Sequence, residues 1–218
     1  MKSIMSLSGR TLAGALSAGL VLGVLGPLLT REAADGGRET VGGPVGHVVH
    51  LVTSAGWSWA ALAFAVGWAC RSWRRAAWAA PASLVVAVAA YYLVKLGQGD
   101  YRRFSPELPG PVDTSTWPID WGNLLGHMVV WWIAALVFGP LLGAAGALAR
   151  VPRPHTRLLL LAVPLTAVVD MSVRLPGNPE LDGALTIDTW GVVRILAVLA
   201  AAAALALSAR TALAGRRP

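Results

Sequence analysis

The fold is decided by the stretch LLLLAVPLTAVVDMSVRL, residues 158–175. It is apolar and long enough to cross a bilayer as a helix, because a hydrocarbon core of about 30 Å takes roughly 20 residues at about 1.5 Å each. Yet Asp170 lies inside it, and Arg174 follows one turn later. An ionisable side chain in a membrane span is costly unless it faces a cavity or a partner. At that helical rise Asp170 sits about 18 Å from the inner end of its span, in the outer half of the bilayer. Arg174, at i+4, shares its face, as does Thr166.

Working outward, five more stretches read as spans: 11–30, 46–70, 76–96, 121–149 and 190–214. The 218 residues are 56% hydrophobic and only 13% charged, whereas soluble domains carry about 25% charge. The expected class is all-α integral membrane, a single domain over 1–218 with six transmembrane helices. The first span is too long for the apolar core of a signal peptide, and no small-x-small cleavage site follows it, so it is expected to be retained. No internal repeat stands out. All but Lys2 and Lys95 of the 18 basic residues are Arg, and Ala and Gly abound. That composition fits a bacterial genome, hence a multi-pass protein of the bacterial inner membrane.

The loops set the orientation. Lys2 and Arg10, then Arg71, Arg74 and Arg75, then Arg150, Arg153 and Arg157, and finally Arg210, Arg216 and Arg217 fall at alternate ends of the spans. These ends hold no Asp or Glu, so the positive-inside rule places both termini in the cytoplasm. The other acidic residues fall in or near the opposite loops, and Asp170 alone lies well inside a span. The net charge of +7 then faces anionic membrane lipids rather than nucleic acid. The outer loop 97–120 holds four prolines and is expected to cover an outer cavity as a lid. Ala15, Gly19 and Gly23, and again Gly139 and Gly143, recur four apart, a spacing that lets helix backbones approach closely. Pro81, Pro140 and Pro164 are expected to bend or start helices. Cys70, the single cysteine, forms no internal disulfide and reads as a packing residue at a helix end.

Polar groups gather at the depth of Asp170. In the second span His47, His50, Ser54, Trp57, Ala61 and Phe64 follow steps of three and four, and in the fourth Asn123, His127, Trp131, Ala135 and Phe138 do the same. Tyr91 and Lys95 share a face of the third span, with Tyr92 adjacent, and Trp190 and Arg194 share one of the sixth. These groups are expected to line a pocket, polar at its outer mouth and aromatic beneath. The competing reading of Lys95 and Arg194 is that they extend to the headgroups. Trp73, Trp78, Trp117 and Trp190 read as interfacial residues, while Trp57, Trp59, Trp131 and Trp132 lie deeper.

Three kinds of chemistry suit such a pocket. Acid-initiated cyclisation of a lipophilic isoprenoid needs a Brønsted acid and electron-rich walls. Asp170 supplies the proton if burial keeps it neutral, although Arg174 favours the carboxylate. Trp and Tyr rings stabilise a carbocation by about 2 kcal/mol each when water is excluded. Metal chemistry would use His47, His50 and His127, but no HExxH or carboxylate-rich set accompanies them. Transport or ligand binding without reaction is the third, although no paired, broken half-repeats are visible. There is no P-loop, GxSxG or Asp-rich diphosphate site, and neither a metal nor another cofactor is expected.

The segments TSAGWSWAALAFAVG (53–67), AAYY (89–92), WWIAALVFGPLLGAAG (131–146) and LAGALSAGLVLGVLG (12–26) resemble a family of small six-helix bacterial integral-membrane proteins of unknown function. In size, and in its buried acid among aromatics, the chain also resembles the bacterial membrane-bound terpene cyclases of indole-sesquiterpenoid pathways. That likeness implies protonation-initiated cyclisation of a farnesyl-type chain, and it carries over no catalytic residue. On the residues themselves, Asp170 is the expected acid, assisted by Arg174 or His127. Trp57, Trp131, Tyr91, Tyr92, His50 and Asn123 are expected to contact a lipophilic small-molecule substrate.

Overall fold

A computed structural model describes residues 2–32, 38–70, 72–102, 118–151, 153–175 and 183–214. The helices are α1 (Lys2–Leu28), α2 (Gly43–Ser54), α3 (Gly56–Ala69), α4 (Trp73–Gly97), α5 (Trp121–Ala149), α6 (Pro154–Arg157), α7 (Ala162–Arg174) and α8 (Ala184–Ala214). Two three-residue strands, β1 (Thr30–Glu32) and β2 (Arg38–Thr40), pair antiparallel in the first outer loop. The protein is of the all-α integral membrane class. Five helical stretches, Gly9–Leu28, Trp73–Gly97, Trp121–Ala149, His155–Arg174 and Ala184–Leu213, are long and apolar enough to cross a bilayer. The α2–α3 pair, bent by 65°, is apolar and long enough to make a sixth when taken as one broken span. The uninterrupted second span expected over 46–70 is thus corrected to two half-helices.

Contacts between neighbours fix their directions. Ser83 Oγ donates to Ala15 O at 2.6 Å, and Gln98 Nε2 donates to Pro27 O at 2.7 Å, so α1 and α4 run parallel. Trp132 Nε1 donates to Val85 O at 3.2 Å, while Gly143 abuts Ala76 and Ala80, which makes α5 antiparallel to α4. His50 of α2 bonds Gly26 O near the end of α1, and His47 one turn earlier bonds Thr186 in the first turn of α8. So α8 begins where α1 finishes, and the start of α1 and the end of α8 lie at the same end of the bundle, the end that carries the basic residues.

The small-residue spacing acts as close packing. A Cβ on Gly19 would lie 2.2 Å from Ser83 O, and one on Gly67 would lie 2.0 Å from Gly143 O. Only hydrogen fits there, and the backbones touch. The core is correspondingly made of small side chains, among them Ala15, Ala63, Ala76, Ala80 and Ala135, with Cys70 buried among them at the end of α3. Between lipid-bathed helices such close contact supplies the dispersion attraction that the hydrophobic effect does not. Burial pushes the Cys70 thiol above its ordinary ionisation range, and Arg75 pulls it partly back.

The fifth crossing is also irregular. Leu158–Leu161 is a 3-10 turn between α6 and α7. Pro164 follows in the first turn of α7, and its missing N–H leaves the preceding turn free to tighten. Most of the expected lid over 97–120 lies outside the described residues, and so does Trp117.

Candidate functional site

The break in the second crossing is written into residues 52–59, VTSAGWSW. Thr53 Oγ1 donates to Val49 O at 2.8 Å, and Ser54 Oγ donates to His50 O at 2.7 Å. Hydroxyls bonded back to the carbonyl four residues earlier compete with the backbone ladder and bend a helix. Ala55 is extended (φ −75°, ψ 142°), and α3 restarts at Gly56. A break at membrane depth strands carbonyls at one helix end and amides at the other, with no water to pair them. Residues of α3 reach back to the carbonyls: Ser58 Oγ donates to Val52 O, and Trp59 Nε1 donates to Thr53 O at 3.1 Å. At the amide end, Ser58 N–H donates to Ala55 O at 3.1 Å.

Asp170 completes that pairing. Its Oδ2 accepts the Trp57 backbone N–H at 3.2 Å, and its Oδ1 accepts Arg174 Nε–H at 2.8 Å. The carboxylate therefore caps the N-terminus of α3, where the helix dipole favours a negative charge. Its side chain is 20% exposed and that of Arg174 is 39% exposed. The Arg174 guanidinium lies 6.0 Å from the Trp190 ring, so the pair links α3, α7 and α8. This answers why a membrane span carries a carboxylate: it compensates a break in the neighbouring span.

A cavity of about 710 Å³ opens beside this cap, walled by α3, α4, α5 and α7. Its lining is apolar apart from Thr166 and Asp170, and includes Trp59, Trp131, Phe138 and Leu165. α5 packs against α3, α4 and the 154–161 segment, whereas α7 packs mainly on α3 and α8. The outer parts of α5 and α7 thus stand apart, and Trp131, Phe138, Leu165 and Val169 are each more than half exposed between them. In a bilayer that gap faces hydrocarbon. A second chamber of about 270 Å³ shares Gly56, Trp59, Val88, Trp131 and Asp170 with the first, and adds Ser54, Tyr91, Tyr92 and Arg174. Asp170 stands at the junction of the two.

Of the expected site residues, Asp170, Arg174, Trp131, Tyr91 and Tyr92 line these chambers. Four others do not. His127 is exposed on α5, and its Nδ1–H is turned back to Asn123 O at 2.8 Å, with its ring against Tyr92 and Tyr101. Asn123, also exposed, sits in the first turn of α5, where its N–H is taken by the Asp120 cap at 3.0 Å. His50 donates from Nδ1 to Gly26 O at 2.9 Å and so ties α2 to α1. Trp57 offers Asp170 its backbone amide, while its indole lines neither chamber and keeps a buried Nε1 without a partner. The last two departures share one cause: the 65° bend ends the stripe that a straight helix would have carried from His47 to Phe64.

Trp59 is the residue the stripe overlooked. It lines both chambers and stacks edge-on against Tyr91 at 6.3 Å. The turn-forming Ser-Ala-Gly at 54–56 is the signal that would have found it, since a restarted helix changes which face carries each ring. Lys95, buried at 8% exposure, pairs with Asp100 and lies 5.7 Å from the Tyr91 ring, so it does not extend to the headgroups. Arg194 is exposed on α8 and lines neither chamber. The histidines go to separate partners, with His47 bonded to Thr40 (3.2 Å) and Thr186 (2.8 Å). Among the described residues no three His, Cys, Asp or Glu side chains gather as metal ligands.

No protein-family model, curated protein or solved structure matches this chain. The function is therefore read from the geometry of the site itself.

Proposed function

We propose that this membrane protein binds a lipophilic small molecule in the cavity between α3, α4, α5 and α7, admitted sideways from the bilayer between α5 and α7. One observation carries the reading: the 710 Å³ hollow falls within the roughly 300–1,000 Å³ of small-molecule sites, and its wall is apolar except at the Asp170 end. An apolar guest in the membrane reaches such a wall without crossing water. The test is photolabelling of the protein in nanodiscs with a diazirine-bearing prenyl probe. Labelled peptides are expected in α5 and α7, and Ala134→Trp, which fills the hollow from α5, is expected to remove them while the melting temperature holds. Labelling that is unaffected by Ala134→Trp overturns the proposal.

A second reading is protonation-initiated cyclisation of a prenylated substrate, favoured because Asp170 and the Trp59 and Trp131 rings line the same hollow. The step would pass a proton from the Asp170 carboxylic acid to an alkene carbon. The cation would close a ring beside the indoles, and a proton would return, giving an isomer of the substrate. Both Asp170 oxygens accept hydrogen bonds, one from Arg174 and one from the first turn of α3, so protonation would remove the negative charge that faces the guanidinium and the helix N-terminus. Binding without reaction keeps that charge in place and is the reading preferred. Formation of an isomer of equal mass, lost in Asp170→Asn, would reverse that preference.

A further inference from the structure

From the smaller chamber we infer the polarity of the guest: it is an amphiphile with a neutral, hydroxyl-bearing head seated between Asp170 and Arg174. The inference rests on the binding reading above and adds the class of ligand. The two chambers meet at Trp59, Trp131 and Asp170, so one molecule can occupy both. The larger runs along α5 from Trp131 to Leu142, about 16 Å at ~1.5 Å per residue, and suits an extended apolar tail. The smaller holds the hydrogen-bonding groups.

Their state of pairing defines the head. Each Asp170 oxygen accepts one bond and keeps a lone pair for another donor. Arg174 commits its Nε–H to Asp170 and retains its Nη groups as donors. A hydroxyl placed between them donates to the carboxylate and accepts from the guanidinium. Charge then selects against an anion. The Asp170–Arg174 pair is neutral as a unit, and the neighbouring Lys95, over the Tyr91 ring, is itself neutralised by Asp100. A phosphate would bring a full charge with no surplus cation to meet it, and would face the Asp170 carboxylate.

The test compares farnesol, farnesyl phosphate and pentadecane as competitors of the prenyl photoprobe on the full chain in nanodiscs. Farnesol is expected to compete about tenfold better than pentadecane, the order of one charge-assisted hydrogen bond, and better than farnesyl phosphate. Arg174→Met is expected to reduce farnesol to the level of pentadecane without changing pentadecane itself. Equal competition by farnesol and pentadecane, superior competition by the phosphate, or indifference to Arg174→Met overturns the inference about the head while leaving the cavity reading in place. If none of the three competes, and Ala134→Trp leaves the labelling unchanged, the cavity reading fails as well.

Discussion

Replacing Asp170 separates its structural contribution from any other. In Asp170→Ala the Trp57 amide loses its acceptor at a dry helix end, a loss of about 1–3 kcal/mol for a stranded donor. The i,i+4 pair with Arg174 disappears too. Because that arginine is 39% exposed, screening holds its share to about 0.5 kcal/mol. The expected total is about 1.5–3.5 kcal/mol. Asp170→Asn keeps a side-chain oxygen for the Trp57 amide and loses only the charge, so it is expected to cost less than about 1 kcal/mol. Arg174→Met leaves the cap in place and is expected to cost about 0.5 kcal/mol. The double variant Asp170→Ala/Arg174→Met should then cost no more than Asp170→Ala alone, because the pair is removed only once. Reversible unfolding in mixed dodecyl maltoside and SDS micelles measures all four. Equal losses for the Ala and Asn variants, or a loss under about 0.5 kcal/mol for Asp170→Ala, would show that the carboxylate does not hold the break together.

Gly67→Ala is expected to destabilise the bundle by about 1–3 kcal/mol in the same assay, since its Cβ would meet Gly143 O at 2.0 Å, whereas Gly126→Ala, with open space at that position, should be neutral or slightly stabilising. Cys70, buried with a raised ionisation range, should label slowly with maleimide at neutral pH and only faster as pH rises or the protein unfolds. The linkage runs the same way: the folded state keeps a thiol proton that the unfolded chain releases, so this group's contribution to stability declines once pH passes the unfolded value. Fusion of a fluorescent protein after Pro218 should yield fluorescence in the cytoplasm, with a periplasmic phosphatase fusion inactive at the same point. The reverse result refutes the placement of the C-terminal end drawn from the basic loops.

The number of crossings was legible because hydropathy reports length and composition, and both are local. The fourth span was read at 121–149, the bounds that α5 has. The glycine spacings were legible too, since close approach needs only a missing Cβ, and Gly19, Gly139 and Gly143 all meet a neighbouring helix. Side-chain direction was not legible beyond Ser54. A stripe drawn with a straight period assumes an uninterrupted helix, and the extended Ala55 invalidates it for every later residue. Residues 52–59 are apolar enough to pass as one span, and the hydroxyls that end α2 look in sequence like harmless packing groups. His127 and Asn123 were misplaced for another reason. They share the face of α5 that carries Trp131, but stand one and two turns nearer the start of the helix, past the residues that line the smaller chamber. A stripe fixes a face and not how far along it the neighbouring helices leave a hollow.

The break and the cavity have a common origin. A straight helix over residues 43–69 would lie flat against its neighbours, satisfy its own amides and leave Asp170 with only Arg174. Bending by 65° carries His50 toward α1, frees the first turn of α3 to face α7, and brings Trp59 into the space beside it. The same bend exposes amides that need an acceptor, and α7 supplies one at the level where the hollow begins. Asp170 is thus bound to the cavity by construction, whether or not it reacts with what enters. Any proton its two oxygens exchanged would remove and restore, in each cycle, the charge that faces Arg174 and the first turn of α3. A guest that only adds a bond to those oxygens uses the arrangement without undoing it, and for that reason binding is the more economical function for this site.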